Sequence, residues 1–356
     1  MLANHHSIEW WNTPRLKKMD LQQQAEENVK EILLRNYKIT PEQFILLIYD
    51  TNSLLATILT DSYGKVIANY QHQMINFEEV GEETVIDRIT TLPAHSLVIL
   101  VQSTSFRMTK HRLRADLFRA GHQVIEHARL GYNKEEQIEN YIKSLQYDTP
   151  YYVKATTALE RLLVKNRRIL VESGGGNILE INSSFEKPLK NTGDFSQMEI
   201  VSAGFPIGEI FTEAQELDKI NGEVVVFGFP GKDHLTHFTQ PFVVKIENGC
   251  VTSHNGPPEF EEILQMIKEE EVNHAVQVRE IGFGLNRQLG FANRLDEPTA
   301  FERFAGMHFS LGLKHAMYGK KLGRKVFQKY HIDIFCRVQR VVIGNTEVFR
   351  DGKYVV

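Results

Sequence analysis

His331 and Asp333 stand one residue apart in Gln328-Lys329-Tyr330-His331-Ile332-Asp333-Ile334-Phe335, a run that reads as a β-strand. Side chains alternate along a strand, so the imidazole and the carboxylate leave one face while Ile332 and Ile334 leave the other. A neutral imidazole nitrogen and a carboxylate oxygen brought together in this way suit a divalent Zn, Mn, Co or Fe ion. Taken alone, a His-x-Asp pair equally describes a surface strand with two hydrogen-bonded side chains. His308 lies among small and apolar residues in Ala305-Gly306-Met307-His308-Phe309-Ser310-Leu311-Gly312. A histidine in such a run is ordinarily a satisfied core residue. Joined to His331 and Asp333, it would complete two histidines and one carboxylate, the minimum for a catalytic metal with open positions.

Glu209 in Gly208-Glu209-Ile210-Phe211-Thr212 and Glu280 in Arg279-Glu280-Ile281-Gly282-Phe283-Gly284 are carboxylates in apolar, glycine-containing surroundings. Burying such a group is costly unless it meets a cation or a metal, so each either faces water on a turn or has a positive partner. The stretch 314–329 carries Lys314, Lys320, Lys321, Arg324, Lys325 and Lys329 with no acidic residue. Beside a metal it would attract a carboxylate-bearing substrate; as a solvated loop it needs no such role. His234 and His237 follow a turn and not an H-E-x-x-H helix, so they are left out of the ligand set. His5, His6 and Lys110-His111-Arg112-Leu113-Arg114 read as solvated surface.

The elements that must hold these residues fall into two patterns. Residues 21–35 show helical spacing, and continuous apolar strands follow at Phe44–Tyr49 and Leu97–Val101, then a basic amphipathic stretch and Gln123-Val124-Ile125. Strands alternating with helices in this way predict an α/β domain with a mostly parallel sheet buried on both faces. No G-x-G-x-x-G follows any of them, so a dinucleotide site is not indicated. A helix is predicted over 148–168, and the triplet Gly174-Gly175-Gly176 then separates two strands and marks a change of architecture. Beyond it, shorter alternating strands at 222–227 and 241–246, a helix over 258–270 and a C-terminal meander from Val341 to Val356 predict a strand-rich α+β domain that carries the metal site. The boundary is placed near 170–190, giving domains over 1–180 and 181–356.

Composition limits the partners. The 356 residues, 42% hydrophobic and 24% charged, are globular in type, and a net charge of −4 argues against nucleic-acid binding. Two cysteines, Cys250 and Cys336, exclude a disulfide framework or a thiolate zinc cage. With no signal-peptide pattern and no membrane-length apolar run, a soluble cytoplasmic protein is expected.

The order Gly208-Glu209-Ile210-Phe211-Thr212, then Glu280-Ile281-Gly282-Phe283-Gly284-Leu285-Asn286, then His308-Phe309-Ser310-Leu311-Gly312, then His331-Ile332-Asp333 resembles the aminopeptidase T family of dinuclear metallo-aminopeptidases. It also resembles the related 2,5-dihydroxypyridine dioxygenases, and the match covers about residues 168–340. The resemblance implies that Glu209, Glu280, His308, His331 and Asp333 bind metal. In the dioxygenases the Glu280 position is a histidine and the Glu209 and His308 positions are apolar, so this chain keeps the fuller, two-metal set. Where the aminopeptidases have a tyrosine, seven residues after the first histidine, this chain has His315. If 308–317 were helical, His308 and His315 would share a face about 10 Å apart, too far to hold one ion. His315 would then bind a second metal, touch substrate or carry a proton, and it stands with Glu209 as a candidate catalytic residue.

The leading expectation is a dinuclear hydrolase with two Zn, Mn or Co ions, cleaving an amide or peptide bond in a small-molecule or peptide substrate. A mononuclear Fe(II) oxygenase built on His308, His331 and Asp333 is the alternative, and an inactive metal-binding or scaffold protein is the second. The resemblance also implies a homo-oligomer; no nucleic-acid or membrane partner is expected.

Overall fold

Apolar runs without polar alternation need cover on both faces, and two of them form the centre of the N-terminal sheet. A computed structural model describes residues 13–195, 198–270, 274–315, 317–318 and 330–356. The chain divides into two units, one of Met1–Tyr147 with Phe195–Phe205 and the other of Asp148–Asp194 with Pro206–Val356. His5, His6 and the basic residues from Lys320 to Lys329 lie outside the described residues.

In the first unit, five parallel strands run in the order His72–Asn76, Ile45–Tyr49, Leu97–Val101, Gln123–His127, Ser202–Gly204. Residues Ile45 to Ile48 and Leu97 to Val101 are all buried, as their unbroken apolar character predicts. Helices Leu54–Ile67, Phe77–Thr90 and Leu113–Arg119 alternate with the strands. The first is started by Ser53, whose hydroxyl accepts from the Ala56 amide at 3.2 Å. The edge strand His72–Asn76 gave no signal in the sequence because only Ile75 in it is buried. Among the described residues, no helix is long and apolar enough to cross a membrane.

A buried polar chain crosses this unit. His127 is fully buried, with Nε2 2.8 Å from the Tyr63 hydroxyl and Nδ1 3.0 Å from that of Tyr141, which donates to the Phe205 carbonyl at 3.1 Å. Tyr141 therefore accepts from Nδ1–H, and Nε2 accepts from Tyr63. Burial pushes the His127 pKa down to about 3, against about 6.5 in the unfolded chain. Above pH 6.5 both states are neutral and the full stability is present. As pH falls from 6.5 towards 3 the unfolded chain takes up a proton that the native state refuses, so stability declines by up to about 1.4 kcal/mol per unit. Urea unfolding between pH 7 and 5 should show this slope and His127→Gln should flatten it; equal slopes would refute the assignment.

The second unit begins with helix Thr149–Lys165, capped by Asp148 accepting from the Tyr151 amide. It contains a thirteen-stranded sheet whose pairings are all antiparallel among the described residues. The glycine triplet turns strand Ile169–Gly174 into Asn177–Ile181. Four neighbouring strands carry the candidate ligands: His331–Cys336, Gly306–Gly312, Val278–Gly284 and Glu209–Glu213. The region from His308 is thus a strand and not a helix. Met307, Phe309 and Leu311 leave one side and pack with Ile281, Phe283 and Ile334, all buried, which strand pairing on both edges permits and a helix would not.

Candidate metal centre

Register places the chemistry. Residues directly opposite in neighbouring antiparallel strands share a face. His308 is opposite Phe335 and Gly282, Ser310 is opposite Asp333, Gly312 opposite His331, Gly284 opposite Glu209, and Glu280 opposite Glu213. All five sequence-predicted ligands therefore rise from one face, the opposite one from the apolar core. A register shift between Val278 and Ile281 disturbs the pairing beside Glu280, whose amide donates instead to the Ser310 hydroxyl at 2.9 Å. The glycines on this face make room: a Cβ on Gly282 would lie 2.0 Å from His308 Nε2, so only glycine lets the imidazole cross the neighbouring strand.

The potential ligand atoms form two groups, each with its atoms within 4.8 Å of one another: Glu280 with His331 and Asp333, and Glu209 with Glu302 and His308. In the first, His331 Nε2 is 3.4 Å from Asp333 Oδ1 and 3.9 Å from Glu280 Oε2. His331 Nδ1 lies 3.2 Å from the Leu313 carbonyl and must donate to it, which turns Nε2 towards the carboxylates. Asp333 Oδ1 is buried with no hydrogen-bond partner among the described residues. An oriented imidazole and a buried carboxylate oxygen without a donor are what a divalent cation requires, and this group fits one.

His308 links the groups, with Nε2 3.3 Å from Glu280 Oε1 and 3.1 Å from Glu209 Oε1. The Glu280 contact is a hydrogen bond, whereas the Glu209 contact is close but off the direction a hydrogen bond needs. Its Nδ1 is buried without a hydrogen-bond partner among the described residues, so nothing orients this ring as Leu313 orients His331. The second group also holds Arg303, whose Nη1 is ion-paired to Glu209 Oε2 and to Glu302 Oε1, the latter at 2.7 Å.

Burial sets the electrostatics. It pushes the Glu280 carboxyl up to about 7, with the His308 hydrogen bond opposing and Glu209 and Asp333 adding to the rise. It raises Glu302 well above the carboxylate range, against the pull of Arg303. Glu209 is lowered despite its burial, because Arg303 and His308 favour the anion. Burial also works against the charge on His331, yet Asp333 and Glu280 raise its pKa to about 10.

His315 joins neither group. Its ring lies 5.9 Å from that of His331 and 4.8 Å from Phe211, and its amide donates to Glu213 Oε1 at 2.7 Å. Of the basic stretch only Lys314 falls within the described residues, where it pairs with Glu186 at 3.2 Å and lies 3.9 Å from Glu213. His237 is held by Asp233 and His254 by Glu261, away from both groups.

Solved structures that share this fold include the following two. The 2,5-dihydroxypyridine dioxygenase of Pseudomonas putida KT2440 matches with a TM-score of 0.59 and 16% identity, over 95% of this chain and 97% of that one. Wild-type AmpT from Thermus thermophilus matches with a TM-score of 0.59 and 12% identity, over 94% and 100%. They are the two kinds of protein that the motif order resembles, and the likeness is one of fold. No family model and no curated protein matches the chain.

Glu302, Arg303 and Glu213 were missed in the sequence. The signals were present but faint: a charged pair between the apolar pairs Ala300-Phe301 and Phe304-Ala305, and Glu209, Phe211 and Glu213 at period two.

Proposed function

We propose that the chain is a divalent-metal-dependent hydrolase that cleaves an amide or peptide bond in a small-molecule or peptide substrate. The observation that carries this reading is the partition of the histidines. An oxygenase triad would gather His308, His331 and Asp333, whereas here His331 groups with two carboxylates and His308 with two others. Such an anionic, oxygen-rich set suits a Lewis-acidic Zn, Mn or Co ion better than a ring-cleaving Fe(II). Glu280, His331 and Asp333 would hold a divalent ion, which would supply Lewis acidity towards a water and a substrate carbonyl.

The chain's own groups do the rest. His315 Nδ1 accepts from the Met317 amide at 3.3 Å, so the neutral ring carries its proton on Nε2. Burial and the neighbouring His331 both lower its pKa, which favours that neutral form. It is therefore a donor, placed to hydrogen-bond a substrate oxygen as negative charge develops there. Glu209, held as the anion by Arg303 and His308, is a poor proton acceptor and acts by balancing positive charge beside them.

The net charge of −4 and the free thiols Cys250 and Cys336 support a cytoplasmic setting without a nucleic-acid partner, and we extend the reading to a homo-oligomer without a membrane partner. The test is hydrolysis of peptide amides by metal-depleted and metal-restored protein under anaerobic conditions, with oxygen uptake followed in parallel in aerated samples. Turnover restored by zinc, manganese or cobalt supports the reading; iron-dependent oxygen uptake without hydrolysis overturns it.

Three variants test the geometry within this reading. Gly282→Ala drives the His308 ring off Glu280 and should lower kcat about 100-fold, the scale of a misplacement near 1 Å. His315→Ala should also cost about 100-fold in kcat, with most of it recovered in His315→Tyr, which restores a neutral donor. Wild-type kinetics in Gly282→Ala, or equal losses in the two His315 variants, would contradict the corresponding assignment.

A further inference from the structure

The second ligand group already contains a cation. Arg303 Nη1 bridges Glu209 Oε2 and Glu302 Oε1, and its side chain is only 12% exposed. The backbone around it is fixed on several sides. The short helix Pro298–Phe301 is capped by Glu297, whose carboxylate accepts from the Ala300 amide at 2.6 Å. The Asn286 amide donates to the Arg303 carbonyl at 2.8 Å. Phe301 and Phe304, either side of the Glu302-Arg303 pair, stack on each other at 5.0 Å and both meet Phe335 edge-on. Arg303 is thus delivered to the carboxylates by a rigid turn and is not a surface side chain folded inwards.

We infer that Arg303 is the resident cation of the Glu209–Glu302–His308 group, and that the protein holds one divalent ion per chain, at Glu280–His331–Asp333. A guanidinium stays charged at every physiological pH. Glu209 Oε1 has no hydrogen-bond partner among the described residues, but Oε2 is taken by Nη1, and an ion on Oε1 would stand next to that positive charge in a buried site where repulsion is poorly screened. The ring orientations agree. His331 has the backbone acceptor that prepares an imidazole for metal and His308 has none among the described residues, its Nε2 being turned to Glu280 and Glu209. The second group does not fit a metal while Arg303 is in it.

The inference rests on the hydrolase reading for the first ion, and metal stoichiometry separates the two. Metal-free protein is titrated with Mn(II) or Zn(II), and content per chain is measured by elemental analysis after gel filtration. One ion per chain is expected, retained in Glu209→Gln and Glu302→Gln and lost in Asp333→Asn. The Arg303→Met variant, which keeps much of the side-chain volume without the charge, should take a second ion. Two ions in the wild-type protein would overturn the inference and leave the hydrolase reading intact. No ion in the wild-type protein would overturn both. A single ion in folded Arg303→Met would refute exclusion by the guanidinium; should that variant not fold, the wild-type count and the two glutamine variants decide alone.

Discussion

On the proposed hydrolase reading, His331→Ala and Asp333→Asn should each lose the ion and with it hydrolysis, by roughly 1,000-fold or more in kcat/KM, since the loss removes the Lewis acid and not merely its orientation. The expected result is selective. His331 and Asp333 stand on the functional face of their strand, while Ile332 and Ile334 hold the other side in the core, so the backbone has no cause to move. Near-ultraviolet circular dichroism should therefore match wild type while metal content and turnover collapse together. Asp333→Asn is the sharper probe, because it keeps the shape and removes the charge from a buried carboxylate whose Oδ1 has no hydrogen-bond partner among the described residues. A variant that kept its metal and most of its turnover would remove this group from the chemistry.

Arg303→Ala should cost about 3–5 kcal/mol of stability in metal-free protein, the scale for taking one partner from a buried ion pair. Glu209 and Glu302 have exposures of only 4% and 13% at the side chain, so without Arg303 their carboxylates have little water to turn to. The sign of the pH dependence follows. With the cation gone, burial holds the folded-state pKa values above those of the unfolded chain, so the native variant keeps protons that the unfolded one releases. Its stability is then present at low pH and is lost as pH rises through the raised values. The gap from wild type should be wider at pH 8 than at pH 5 in urea unfolding, and excess divalent metal should narrow it. A gap that was small and insensitive to pH would mean that the carboxylates are paired elsewhere.

The site was legible where it depends on one strand and obscure where it depends on several. The spacing of His331 and Asp333 gives their common face directly, because alternation is a property of the strand itself. The continuous runs Ile45–Tyr49 and Leu97–Val101 likewise carry the parallel α/β architecture, since only a sheet covered on both sides accommodates them. His308 was harder. A buried histidine among apolar residues is compatible with helix or strand, and the conditional helical spacing to His315 fell away once the run was paired on both edges. Glu302 and Arg303 gave only a faint signal for another reason. They lie beside Glu209, 94 residues away for Arg303, through a loop and a four-residue helix that have no periodicity to read.

Residue types and local period therefore determined the parallel α/β unit, the strand-rich second unit and the shared face of His331 and Asp333. The tertiary structure alone decided how the candidate ligands divide, Glu280 with His331 and Asp333, and Glu209 with Glu302 and His308, and that Arg303 enters the second group. The physical reason is range. Side-chain alternation is written into each strand, but the register between strands, the irregularity beside Glu280 and the turn that carries Arg303 are set by packing among segments far apart in the chain.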